Sequence, residues 1–78
     1  MALRSPAANA AFPDAEKALI RAVERAPNNG TIRYHLGMTY ARLGKKQDAV
    51  SALKRASQLD SKLSDSERIN SVIKELGG

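Results

Sequence analysis

Cysteine is absent from this 78-residue chain, so neither a disulfide framework nor a thiolate metal site is available. Tryptophan is also absent, and the aromatics are two tyrosines and one phenylalanine. No apolar run approaches the roughly 20 residues that a membrane-spanning helix needs. No segment alternates apolar and polar residues with period two, so strands are not expected. Acids are scarce along one stretch. From Lys17 to Arg55 nine basic residues face two carboxylates, Glu24 and Asp48, and the whole chain carries a net charge of +5. The plain reading of that surplus is a solvated, solubilising surface; the functional one is attraction to an acidic partner.

Enzymatic chemistry is poorly served by the same inventory. The single histidine, His35, reads as a surface residue and has no carboxylate close in sequence to orient it. Ser51, Ser57 and Ser61 have no base at helical spacing, and no glycine-rich phosphate cradle is present. Asp60, Asp65 and Glu67 are not spaced as a calcium loop. The expectation is therefore a non-enzyme without cofactor or metal.

What is present is helix periodicity. Length allows one domain. Met1–Phe12 is alanine-rich and lacks the continuous apolar core of a signal peptide, and is expected to be a disordered or tag-like lead-in, with a helical domain over 13–78. A first helix is expected at about 13–26, with Pro13 at its first position and Ala15, Ala18, Leu19, Ala22, Val23 and Ala26 on one stripe. Pro27 ends it. A second helix, at about 31–43, follows with Asn29 as its N-cap. Its inner stripe is Ile32, Leu36, Thr39, Tyr40 and Leu43. Gly37 in mid-helix costs about 1 kcal/mol relative to alanine, which close approach of a neighbouring helix would explain. Gly44 reads as a left-handed terminator. The third helix is expected at about 47–59, burying Ala49, Val50, Ala52, Leu53, Ala56 and Leu59. A fourth, at about 65–76, starts from a capping box of Ser64 and Glu67 and ends at Gly77.

The first and third helices echo one another at an offset of 34 residues: Ala15 with Ala49, Leu19 with Leu53, Ala22 with Ala56. Such a period marks stacked helical units. On these residues the chain resembles the tetratricopeptide repeat. Leu36-Gly37 and Tyr40 match its first helix, Ala49 and Ala56 its second, Pro27 the closing proline of a preceding unit, and Phe12 the aromatic before a second helix. Arg33 stands in place of the usual Trp, Leu53 in place of an aromatic, and Ser61 in place of the closing Pro. The resemblance implies an all-α fold, antiparallel helical hairpins stacked as a short solenoid of about one and a half repeats plus a capping helix. The repeat's style looks like that of bacterial members of the family, which leaves cytoplasm and bacterial periplasm both open.

The function implied by the resemblance is protein–protein interaction, with a partner segment received on the concave face of the first repeat helix. Carried over by position, the partner-binding residues are Thr31, Tyr34, Met38, Ala41 and Arg42. Packing of Tyr34 and Met38 against the last helix is the plainer alternative. The clamp that one subgroup uses for acidic chaperone C-termini is missing, since Tyr34 and Met38 stand at its positions. A structural or oligomerising piece that caps an array is the second function considered. Nucleic acid is the third, and is weaker because only Tyr34 and Tyr40 interrupt the basic stretch. Because the first helix has no preceding partner helix, self-association of the isolated chain is also expected.

Overall fold

A computed structural model describes residues 4–78, with five helices and no strand among them. They are α1 (Arg4–Arg25), α2 (Gly30–Arg42), α3 (Lys46–Leu59), the single turn α4 (Ser61–Ser64) and α5 (Glu67–Glu75). The structure is all-α, its helices packed in the manner of a short helical repeat, with α2 and α3 as the most closely joined pair. No helix among the described residues is long and apolar enough to cross a membrane.

Three boundaries differ from the sequence expectation, each for a local reason. First, α1 begins at Arg4, so Pro13 lies inside the helix rather than at its first position. Alanines 7, 8, 10 and 11 supply strong helix propensity, and the proline forfeits one backbone hydrogen bond without ending the run. Residues 4–12, expected as a disordered or tag-like lead-in, are therefore helical; residues 1–3 lie outside the described part. Second, Ser66 caps α5, its Oγ accepting from the Ile69 amide at 3.3 Å. Ser64, assigned above to a capping box with Glu67, instead donates its hydroxyl to the Ser61 carbonyl at 2.9 Å. Third, Asp60 not only closes α3 but opens α4, its side chain accepting from the Lys62 amide at 2.9 Å. The other end signals stand as read. Asn29 Oδ1 accepts from the Ile32 amide at 3.1 Å, and Gly44 and Gly77 have φ of 80° and 88°.

The core lies along α3. Ala49, Leu53 and Ala56 have no exposed surface, and Ala52 is buried beside them. From α2, Gly30, Leu36, Gly37 and Thr39 are buried, and from α5 Ile69 is wholly buried. The α2–α3 crossing is close because of Gly37. A Cβ there would stand 2.7 Å from both Cγ and Cδ2 of Leu53 and 3.3 Å from the Ala49 carbonyl oxygen. Gly30, read from sequence as part of a turn, makes a second close approach. A Cβ on it would meet the Ala56 carbonyl oxygen at 3.0 Å and Leu63 Cδ1 at 3.3 Å.

Helix α1 is held differently. None of its described side chains is buried, and Ile20 is exposed. It packs chiefly on α2. Arg33, standing where the repeat usually has Trp, donates from Nε to the Pro27 carbonyl at 3.0 Å and so secures the α1–α2 turn. Lys45, in the α2–α3 turn, reaches back to form an ion pair with Glu16 on α1.

The Gly37 crossing yields a stability prediction. Gly37→Ala gains about 1 kcal/mol of helix propensity but overpacks Leu53, a change that costs about 1–3 kcal/mol in a filled core. The expected net loss, on the order of 1 kcal/mol, lowers the thermal midpoint by about 4–8 °C. Pairing it with Leu53→Val is expected to cost less than the sum of the two single changes. Calorimetry showing an unchanged or raised midpoint for Gly37→Ala would contradict the crossing described.

Candidate functional site

The face of α2 turned away from α3 borders an open depression of about 670 Å³. From α2 come Tyr34, His35, Met38, Thr39 and Arg42. Their spacing of three and four places Tyr34, Met38 and Arg42 on one helical stripe. Helix α1 contributes a floor of Ala15, Ala18 and Leu19, and α5 contributes Arg68. Tyr34 and Met38 are half-buried, so neither belongs to the core, while His35, Arg42 and Ala18 are exposed. The Tyr34 and His35 rings lie 5.3 Å apart, inclined at 51°.

Of the five residues that sequence position nominated, three line the depression: Tyr34, Met38 and Arg42. Thr31, exposed, and Ala41, half-buried, lie on α2 but do not line it. Sequence reasoning treated His35 as plain surface and did not include the α1 floor or Arg68. The α1 floor did have a signal. Ala18 corresponds to Ala52 at the same 34-residue offset as its neighbours, so all four core residues of α3 recur in α1. Arg68 had none, because its approach depends on how α5 docks through Ile69.

The chemistry of the lining is apolar and basic. Two arginines and a histidine border it, and no carboxylate does. Among the described residues no group of three or more His, Cys, Asp or Glu side chains is placed to hold a metal ion. The lining offers shape, apolar surface and positive charge, which suit recognition of another molecule's surface.

Away from the depression, Lys45, Glu16 and Tyr40 form the electrostatic tie between α1 and the α2–α3 hairpin. The Lys45 ammonium lies 5.8 Å from the centre of the Tyr40 ring. Its hydrogen bond to Glu16 holds the Lys45 pKa above the ordinary lysine value of 10.5. Burial, reinforced by the negative charges of Asp48 and Glu16, raises Tyr40 above the ordinary 10.0.

The family model for the tetratricopeptide repeat matches residues 30–63, spanning α2, α3 and nearly all of α4. No curated protein and no solved structure matches the chain. Over that stretch the chain is similar to the tetratricopeptide repeat, a family of repeat scaffolds that generally mediate protein–protein interaction. The α1 depression lies at the start of the repeat, where a preceding helical unit would stack in an array.

The tie at Lys45 sets a pH dependence. Both groups have folded-state pKa values raised above their unfolded ones, so the folded state holds more protons as pH passes about 10 and stability falls as pH rises. The Lys45 contribution is fully present below 10.5 and is lost through its raised folded value. Urea midpoints measured from pH about 8.5 to about 11 are expected to fall. The fall is expected to be smaller in Glu16→Gln, which removes the main cause of the Lys45 shift. An equal fall in both proteins would remove Glu16 from the account.

Proposed function

We propose that the chain is a protein-interaction module that receives a segment of a partner protein on the concave face of α2, with Tyr34, Met38 and Arg42 as contacts and Thr31 and Ala41 beside them. One observation carries this reading: Tyr34 and Met38 are large apolar side chains that stay outside the core and border an open depression. Tyrosine, methionine and arginine are enriched at interfaces, and methionine adapts to varied surfaces. The reading includes no reaction: His35 has no carboxylate beside it in the depression to orient it.

The other reading is a structural piece that caps or oligomerises an array. It is favoured by α1, none of whose described side chains is fully buried and which a second copy could cover. Against it stands charge: copies that each carry +5 would bring arginine-bordered faces together.

Replacing both residues, Tyr34→Ser with Met38→Ser, separates an interaction role from a packing role. An interaction role predicts that proteins captured by the natural chain are lost from the variant, with helicity kept and a midpoint shift under about 4 °C, or less than about 1 kcal/mol. A packing role predicts a drop of about 8 °C or more together with loss of helicity. Capture equal to that of the natural chain would sink the proposal.

A further inference from the structure

We infer that the depression between α1 and α2 seats one helix of a different protein, acidic along its outer edges and carrying glycine or alanine where it crosses Leu19. This names the partner's chemistry for the interaction reading above and rests on that reading.

The internal repeat carries the argument. Ala49, Ala52, Leu53 and Ala56 of α3 are 0%, 8%, 0% and 0% exposed. α2 lies on this helix with Gly37 against Leu53 and the Ala49 carbonyl, and α4 and α5 pack beside it. The residues 34 positions earlier are identical: Ala15, Ala18, Leu19 and Ala22. In α1 this quartet is open, with Ala18 exposed and the other three half-buried. The same four side chains at the same helical spacing present the same small-large-small relief, so they accept the same kind of object, a helix. The steric condition transfers too. On α3 a Cβ at the crossing would fall 2.7 Å from Leu53, so a helix lying equally close on Leu19 needs a small residue there.

Charge decides what sort of helix. Ionisable side chains bordering the seat are Arg42, Arg68 and His35, with no carboxylate among them. Glutamates or aspartates flanking the occupant's apolar stripe would meet Arg42 and Arg68 at the rim, where such pairs steer association and select partners. A second copy of this chain is the poorer occupant, because its net +5 places cations against cations. The floor is of alanines, which let a helix backbone approach but provide little area, so the Tyr34 and Met38 wall supplies the larger contacts.

The probe is a stapled peptide spanning positions 30–43 of α2, with Ile32, Leu36, Gly37, Tyr40 and Leu43 kept and glutamate at Arg33, His35 and Arg42. The staple removes the ordering cost that makes an isolated helix of this length marginal. Titration into the full chain, read by fluorescence anisotropy, is expected to show saturable binding. A companion peptide with lysine at the same three positions, and another with leucine at Gly37, are each expected to bind at least about tenfold more weakly. In the chain, Ala18→Gln is expected to weaken the glutamate peptide by about tenfold or more while circular dichroism and midpoint stay unchanged, since Ala18 is exposed. Ala18 lies on α1, so this loss also excludes displacement of α2 from α3. The inference is overturned if no peptide binds up to millimolar concentration, if the lysine peptide binds as well, or if Ala18→Gln binds as the natural chain does. It is also overturned if the chain forms a dimer that Ala18→Gln abolishes. Partner capture lost in the Tyr34→Ser, Met38→Ser variant but kept in Ala18→Gln would leave the interaction reading standing and remove the helix seat alone.

Discussion

The contact between Gly37 and Leu53 sets the geometry on which the rest of the molecule depends. With no Cβ at position 37, α2 settles directly onto the Leu53 side chain and the Ala49 carbonyl. Gly30 repeats the device near the start of α2, against the Ala56 carbonyl and Leu63. Two close approaches along one helix fix its direction as well as its distance from α3. The mid-helix glycine is locally unfavourable, and the burial of Leu53 and Ala49 that it permits offsets that cost. Once α2 and α3 are set, α5 packs against α3 with Ile69 wholly buried and brings Arg68 to the depression, while α1 packs on α2.

The resulting core is thin. Its buried apolar residues include three alanines, which remove little area from water each, beside Leu36, Leu53 and Ile69. Repeats of this kind gain their stability from neighbours, and here α1 is joined to the hairpin by modest means. These are half-buried packing on α2, the Arg33 bond to Pro27, and the Lys45–Glu16 pair. Anything that seats on α1 and α2 together would add apolar burial where the chain has least of it. Such binding would stabilise the folded state by mass action, so recognition and folding of this edge are coupled.

Much of the fold was legible because its signals are local. Asn29, Gly44 and Gly77 act at helix ends through their own backbone and side-chain chemistry, which needs no distant partner. Four of the six residues expected in the α3 core, Ala49, Ala52, Leu53 and Ala56, and the purpose of Gly37 were equally readable, since helical spacing says which residues share a face; Val50 and Leu59 are only half-buried. The misreadings are also local, and arise where two signals compete. At Pro13 a helix-start residue sits within alanine-rich sequence, and propensity prevailed. At α5 both Ser64 and Ser66 can cap, and the extra turn α4 occupied Ser64. Gly30 looked like turn composition because the backbone it approaches is 26 residues away at Ala56.

For the candidate site the division falls between helices. Sequence alone determined that α2 carries a second stripe, with Tyr34, Met38 and Arg42 three and four residues apart and distinct from its inner one, because that follows from 3.6 residues per turn. It also determined that α1 repeats the surface of α3. Only the tertiary structure decided that Ala15, Ala18 and Leu19 of α1 and Arg68 of α5 meet that stripe in one depression, and that Thr31 and Ala41 stay outside it. Which side chains share a hollow depends on crossing angles and distances set by contacts such as Gly37 on Leu53, and those are properties of pairs of helices rather than of any one stretch of chain.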